Sequence, residues 1–365
     1  MRIGVLTYHR AHNYGAMLQA YALLSFLRNH GYHAELIDYW PISHKNQYAL
    51  IKPIVGTNFI YKVKNTIADI CTFWRRYRRI QGFQMFENRY LNLPRGIKYT
   101  NANALIDTNY DCVIAGSDQI WRNRDSNNNH IGFDSTYFCQ NIRPTTRCIS
   151  YAASMGIISL NDQDRQLLQQ YLKAFDAILV RENSLKELIN SFNYDADVVL
   201  DPTLLLTREQ WNKQLPQVSY HRRKYVLYYE LIQSKDALKF ATQKAKSMDC
   251  DLLIMNAQVH TIPRKNHISN ASPINFLHAI RDAEFVVATS FHGTAFSIIF
   301  EKQFITIGLS KNADRVKTLL QHLNISEHYQ PHPASINNID YTNIRPLLDK
   351  MKSKSQKLLL SALTK

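Results

Sequence analysis

The chain has 365 residues, which points to two domains at about 150 residues each. A hydrophobic fraction of 45% and a charged fraction of 20%, with 11 glycines and 11 prolines, exclude a disordered, collagenous or low-complexity chain. The 44 lysines and arginines against 29 acidic residues leave a formal charge of +15, a balance that favours an anionic partner: nucleic acid, anionic lipid, or a phosphorylated or carboxylated substrate.

The N-terminus reads directly as a short apolar strand, Ile3–Thr7, without the long apolar stretch of a signal peptide. A helix over Gly15–Asn29 follows, with Met17, Leu18, Tyr21, Leu24 and Leu27 on one stripe and Gly31 as its C-cap residue. Ala34–Tyr39 is the next strand, so the chain opens with a βαβ unit and a parallel sheet. A long insertion, Pro41–Thr108, is rich in aromatics and arginines. Buried strands are expected at Cys112–Ala115, Cys148–Tyr151, Ala177–Val180 and Val198–Leu200. Residues 1–205 are thus read as a first domain and 206–224, with Pro216 and the basic run His221–Lys224, as a linker. The pattern restarts at Tyr225–Glu230. A helix at Lys235–Met248, a strand at Leu252–Met255 and a loop at His260–Asn270 follow. Then come a helix at Pro273–Asp282, a strand at Glu284–Ala288, a helix at Thr294–Phe300 and a strand at Phe304–Gly308. Residues 225–340 form the second domain, and 341–365 a terminal helix expected to pack back on the first. The fold class is α/β: two Rossmann-like domains facing a cleft, with ligands at the carboxyl ends of the strands.

Five cysteines without a CxxC pair give neither a disulfide framework nor a zinc site and are read as reduced cytosolic thiols. No apolar run reaches the ~18 residues of a membrane span, so a soluble cytoplasmic protein is expected, with a peripheral contact at the inner membrane face left open. HExxH, GxSxG, GxGxxG and P-loop patterns are all missing, so neither a metal nor a nucleotide cofactor is expected.

Four segments carry candidate chemistry. HNYGAMLQAYAL, His12–Leu23, leaves the first strand and opens the first helix. Gly15 there allows close backbone approach and the free N–H groups suit an anion, against the plain reading of a βα turn capped by Asn13. AGSDQIW, Ala115–Trp121, follows a strand end. Asp118 there is either a base that orients a sugar hydroxyl or a helix cap. VREN, Val180–Asn183, places Arg181 after a buried strand, as a clamp on a ligand anion or as the partner of Glu182 or Asp201. TSFHGTAFSIIF, Thr289–Phe300, is the sharpest: His292 and Gly293 open a buried helix after a strand, a position that suits an acid/base group. Residues 61–100 hold nine lysines and arginines against Asp69 and Glu87, with Phe73, Trp74 and Tyr77 interleaved. The Arg75–Arg79 cluster can lie on anionic lipid, grip nucleic acid or form a solvated face. No nucleic-acid module accompanies it, and nucleic acid is not the expected partner.

Taken together, NYGAMLQAYAL, AGSDQIW, SYAASMG (Ser150–Gly156), VREN, LDPTLLL (Leu200–Leu206) and SFHGTAFSIIFEKQF (Ser290–Phe304) occur in an order that resembles the polysaccharide pyruvyl transferase family, over about residues 1–325. The resemblance implies a glycosyltransferase-B-like architecture. It also implies transfer of pyruvate from phosphoenolpyruvate to two sugar hydroxyls as a ketal. Phosphoenolpyruvate is then a co-substrate, a sugar or lipid-linked oligosaccharide the acceptor, and cell-surface glycan synthesis the setting. Carried over by position, His292 and Asp118 are the catalytic candidates. Arg181, Ser290, Gly293, Thr294 and Arg315 are the donor-side residues. Asn13, Tyr14, Gly15, Gln19, Ser117, Gln119 and Trp121 are the acceptor side of the cleft. Ser290 stands where many members carry an arginine, and Arg315 or Arg264 is the expected replacement. A nucleotide-sugar glycosyltransferase of the same architecture and a glycan- or anion-binding protein without catalysis are the alternatives.

Overall fold

The computed structural model describes residues 1–41, 48, 50, 59–93, 99–100, 103, 105, 108–126, 129–259, 266–308, 313–330 and 336–364. Arg2–Leu6 (β1), Tyr14–Asn29 (α1) and His33–Leu36 (β2) form the opening βαβ unit. Asn13 caps α1 by accepting from the Gly15 and Ala16 amides. Phe59–Phe86 (α2) and a π-helical turn, Glu87–Leu91, occupy part of the expected insertion. Cys112–Ala115 (β3) follows, then a hairpin of Arg124–Ser126 (β4) and Asn129–Gly132 (β5). Arg147–Ala153 (β6), Asp162–Leu172 (α3), Ala177–Val180 (β7), Asn183–Asn190 (α4) and Ala196–Val198 (β8) come next. The first sheet runs β2-β1-β3-β6-β7-β8, with every pairing parallel. Its central strands are covered on both faces, which is why they read in the sequence as short unbroken apolar runs.

Part of the expected linker, 206–224, is helical. A 3₁₀ turn at Pro202–Leu204 leads into Arg208–Asn212 (α5), closed at its start by a Thr207–Gln210 capping box. Trp211 on that helix is buried against Tyr21 of α1 and Phe296, which outweighs the polar composition that suggested a linker. The second half holds Tyr225–Glu230 (β9), Lys235–Ser247 (α6), Asp251–Asn256 (β10), His267–Ile268 (β11), Pro273–Asp282 (α7), Phe285–Ala288 (β12) and Phe291–Ile299 (α8). Gln303–Ile307 (β13), Asp314–His322 (α9), Tyr329–Gln330 (β14) and Tyr341–Thr364 (α10) complete it. Its sheet order, β11-β10-β9-β12-β13-β14, is the dinucleotide-fold order 3-2-1-4-5-6. Each sheet therefore has a point where the chain changes direction, beside β1 in one and beside β9 in the other, and a crevice opens there at the carboxyl ends of the strands. α10 returns to the first half, where Ser355 Oγ accepts from the Leu200 amide at 2.9 Å and Gln356 donates to the Leu205 carbonyl.

The two halves share an apolar core. Tyr14, at the head of α1, stacks on Phe276 of α7 at 4.9 Å between ring centres and on Phe83 of α2 at 5.4 Å. α2 is pinned across this junction by Arg79, which is buried. Its guanidinium donates to the Tyr14 hydroxyl at 2.6 Å, to the carbonyls of His12 and Ser269, and, at 3.5 Å, to that of Asn256. Those acceptors belong to both halves, so one cation ties three elements together. Arg79→Met should lower stability by about 3–5 kcal/mol, because it leaves a tyrosine hydroxyl and several carbonyls without their donor. Urea titration reads this, and a loss under about 1 kcal/mol would show that α2 does not depend on the anchor.

His12 lies between the rings of Tyr48 and Phe83. Burial first, and the Arg79 charge second, pull its pKa down to about 4. The unfolded chain takes up a proton near pH 6.5 that the folded chain refuses until about 4, so stability falls as pH drops through that window. The loss should reach about 2–3 kcal/mol. His12→Gln should flatten the curve of urea midpoint against pH between about 7 and 4.5, and an unchanged slope would assign the acid sensitivity to other groups.

Candidate functional site

The carboxyl ends of the first sheet converge on Asp201, just beyond β8 in LDPTLLL. It is almost completely buried. Oδ1 accepts from the Thr203 amide at 3.0 Å and hydroxyl at 2.7 Å. Oδ2 accepts from Ser117 Oγ at 3.0 Å and from Arg181 Nη1 at 2.5 Å. His292 Nε2, on α8 from the other half, stands 3.8 Å from the same oxygen. Burial alone would raise this carboxyl. The neighbouring His292, Arg181 and Thr203 outweigh it and hold the group well below the usual carboxylate range. Asp201 is thus a buried fixed anion that gathers a serine and an arginine from two loops of the first half and a histidine from α8.

Asp118, on the β3 loop, joins through Arg181, whose Nη2 is 3.6 Å from Asp118 Oδ1. Its backbone sits at φ +77°, a left-handed position that a short polar side chain tolerates, and its carbonyl accepts from the Ser154 amide. The chain reaches this point through Gly116, where a Cβ would lie 2.1 Å from the Tyr151 carbonyl oxygen. Of the two ion-pair partners expected for Arg181, Asp201 is realised and Glu182 is not. Glu182 Oε1 instead accepts from Ser154, Met155 and Gly156. Arg181 nevertheless keeps Nε and Nη2 without a hydrogen bond although it is only 4% exposed.

His292 is seated by Gly15. A Cβ on Gly15 would fall 1.9 Å from His292 Nδ1, so the imidazole of one half rests directly on the α1 backbone of the other. Nε2 makes no hydrogen bond. Arg315, near the start of α9, lies over the Phe291 ring at 5.7 Å, and Arg181 lies over the same ring at 5.0 Å. Burial, and then the like charge of Arg181, lower Arg315 to about 10, so it remains a cation at neutral pH. These two guanidiniums, Phe291 and Asp201 form part of the wall of a pocket of about 210 Å³ between α4, α9 and α10, which also receives Lys186 and Lys354. Lys186 is itself 3.8 Å from Asp197.

The site therefore brings together His292, Asp118, Arg181, Ser117, Gly15 and Arg315, and adds Asp201, which the sequence had offered only as a partner for Arg181. Several expected cleft residues lie elsewhere. Tyr14 and Trp121 are core side chains, the latter stacked on Phe138 with its indole N–H on the Tyr137 carbonyl. Gln19 is buried and braces Thr7, the Ala16 carbonyl and the Ser117 amide. The Asn13 side-chain oxygen is used in capping. Gln119 turns toward Gly156, and its carbonyl accepts from Tyr8. On the donor side, Ser290 Oγ caps α8 through the Gly293 amide, and Thr294 is buried on Thr306 and the Ser290 carbonyl. Gly293 packs against Ala288 and Tyr229 with no room for a Cβ. Buried polar side chains next to motif residues read in sequence like ligand contacts because both avoid solvent. Arg264 and the segment 260–265 lie outside the described residues. A larger groove of about 960 Å³, between α2, the segment 213–216 and α7, shares none of these groups. No group of three or more histidines, cysteines or carboxylates is placed to hold a metal among the described residues.

The protein is a two-domain α/β fold of two parallel sheets, with a histidine, carboxylates and guanidiniums clustered between them. A family model described as polysaccharide pyruvyl transferase matches residues 13–311, and the chain belongs to that family. Comparison with curated protein sequences finds no match. Among solved structures, the chain is similar to the UDP-GlcNAc 2-epimerase from Methanocaldococcus jannaschii, with 10% identity, 100% of this chain and 99% of that one covered, and a TM-score of 0.47. The UDP-GlcNAc 2-epimerase from Neisseria meningitidis bound to UDP-GlcNAc gives 10% identity, coverage of 100% and 99%, and a TM-score of 0.45. The glycosyltransferase SnogD from Streptomyces nogalater gives 12% identity, coverage of 100% and 95%, and a TM-score of 0.38.

Gly15→Ala tests the seat of His292. The added methyl should displace the imidazole and lower the melting temperature, because it would fall 1.9 Å from His292 Nδ1. Adding His292→Ala to Gly15→Ala should restore the melting temperature lost to the clash. An alanine at position 15 that leaves stability intact would show that the imidazole does not depend on this seat.

Proposed function

We propose that the protein transfers pyruvate from phosphoenolpyruvate to two hydroxyls of a sugar, forming a ketal, in the synthesis of a cell-surface glycan. The observation that carries this reading is the meeting of His292 and Arg181 on Asp201, with Asp118 joined through Arg181, in a chain of this family. The donor carries a phosphate and a carboxylate, and the pocket beside Phe291 is lined by two guanidiniums and two lysines, with His292 one residue beyond Phe291. Arg181 and Arg315 together replace the cation that Ser290 does not supply. Protonation of the donor methylene carbon by the His292 imidazole generates an oxocarbenium-like carbon. An acceptor hydroxyl attacks that carbon and Asp118 accepts its proton. The carbon–oxygen bond to phosphate then breaks, inorganic phosphate leaves, and a second hydroxyl closes the ketal while losing its own proton. An acid, a base and a cationic clamp suffice for both steps.

His292→Ala should lower transfer by roughly 10²–10⁴-fold with the fold intact. Arg181→Lys keeps a charge but loses the fork that meets Asp201 and the donor together, so donor affinity should fall. Thermal-shift titration tests the donor. Phosphoenolpyruvate at 100 times its dissociation constant should add about 2.7 kcal/mol, and a UDP-sugar should add none. Stabilisation by the UDP-sugar alone would replace this reading with that of a nucleotide-sugar glycosyltransferase. Near-wild-type transfer by His292→Ala would remove it as the acid.

A further inference from the structure

α2 buries one face and leaves the opposite one bare. Thr72, Arg79, Phe83 and Phe86 point into the molecule. On the far side, Ile70, Trp74 and Tyr77 follow one another at i, i+4 and i+7, and Met85 extends the stripe two turns on. Ile70 and Trp74 are each 71% exposed, Met85 is 70% and Tyr77 is 40%. Four large apolar side chains in one row at these exposures are unlike the scattered single residues of an ordinary soluble surface. Phe73, Trp74 and Tyr77 pack edge to face into a small aromatic ridge. Exposed arginines flank the row at Arg78 and Arg89, while the nearest acid, Asp69, is engaged by Arg76. The expectation of a four-arginine lipid patch at 75–79 fails at Arg79, which is interior, and at Arg76, which is paired. Apolar and aromatic residues form the centre of the exposed face, and cations form its rim.

We propose that this face of α2 docks the protein on the surface of an anionic lipid bilayer, with Ile70, Trp74, Tyr77 and Met85 entering the headgroup–acyl boundary and Arg78 and Arg89 meeting lipid phosphates. The composition selects this occupant: an aromatic-centred stripe rimmed by arginines is complementary in charge and polarity to an anionic interface. A protein groove would bury the aliphatic row but would leave the arginine rim without an anion. No helix among the described residues is long and apolar enough to cross a membrane, so the contact is peripheral. Arg79 holds the opposite face of the same helix to the cleft junction, so docking would fix the cleft relative to the membrane plane.

Sedimentation of the full chain with vesicles of phosphatidylcholine alone, or with added phosphatidylglycerol, tests this. Binding to the anionic vesicles should exceed binding to the neutral ones by about tenfold or more at ~0.1 M salt, from about two lipid-facing arginines. It should be lost near 1 M, where the screening length is ~3 Å. Trp121 and Trp211 are buried and Trp40 is half-buried, so Trp74 is the exposed reporter. Its emission should shift to shorter wavelength with anionic vesicles and be quenched by brominated acyl chains. The paired change Ile70→Ser with Trp74→Ser should abolish sedimentation, and Arg78→Gln with Arg89→Gln should erase the preference for anionic lipid, both with unaltered melting temperature because these side chains are exposed. Equal sedimentation of wild type and the serine variant, no lipid preference, or a wild-type dimer that the serine variant dissolves would each overturn the proposal. The last outcome would assign the stripe to a second copy of the chain.

Discussion

A carboxylate taken almost wholly out of water must be repaid by donors on every side, and Asp201 sets that condition for the cleft. Its partners come from the loop after β3, from the end of β7, from its own 3₁₀ turn and, across the cleft, from α8. None of these loops is held in place by a regular ladder. What fixes them is that an unpaired buried charge costs far more than any rearrangement they could gain by moving. The site is in this sense built outward from one anion. The arginine that would clamp a donor, the histidine that would protonate it and the serine at the head of the β3 loop are all located by the same oxygen.

The contact between Gly15 and His292 complements this charge-based constraint with a steric one. Glycine at the second position of α1 lets the imidazole lie on the backbone, and the stacked Tyr14, Phe83 and Phe276 keep α1 and α7 from separating there. The cleft is therefore hinged close to its chemistry. Large opening at this edge would break an aromatic stack and expose the buried Arg79.

Much of this was legible in the sequence because parallel strands buried on both faces leave an unmistakable trace. Tyr225–Glu230 and Pro273–Asp282 begin and end in the structure where their patterns do. The ends of β2 and β8 and the start of α8 shift by a few residues, because strand and helix limits depend on partners that periodicity does not record. His292, Arg181 and Asp118 stood out as polar residues after apolar runs, and they do meet. Tyr14, Gln19 and Trp121 came in with the family motifs and are core or bracing side chains, since a motif block records structural positions as well as ligand contacts. Asp201 was visible only as one of two partners for Arg181. Its signal is the LDPT spacing, in which an acid caps a turn two residues before a threonine, and such a turn is common enough that sequence alone does not separate a cap from a hub.

α10 gives the molecule an order of assembly. The Leu200 amide, one residue before Asp201, finds its acceptor in Ser355, which lies 155 positions later in the chain. Met351 and Lys354 on the same helix supply wall to the pocket lined by Arg181 and Arg315. During synthesis the first sheet can form early, but the anion pocket has no far wall until the ribosome has added α10. A nascent chain thus holds His292 and both guanidiniums before it has the helix that completes the pocket around them.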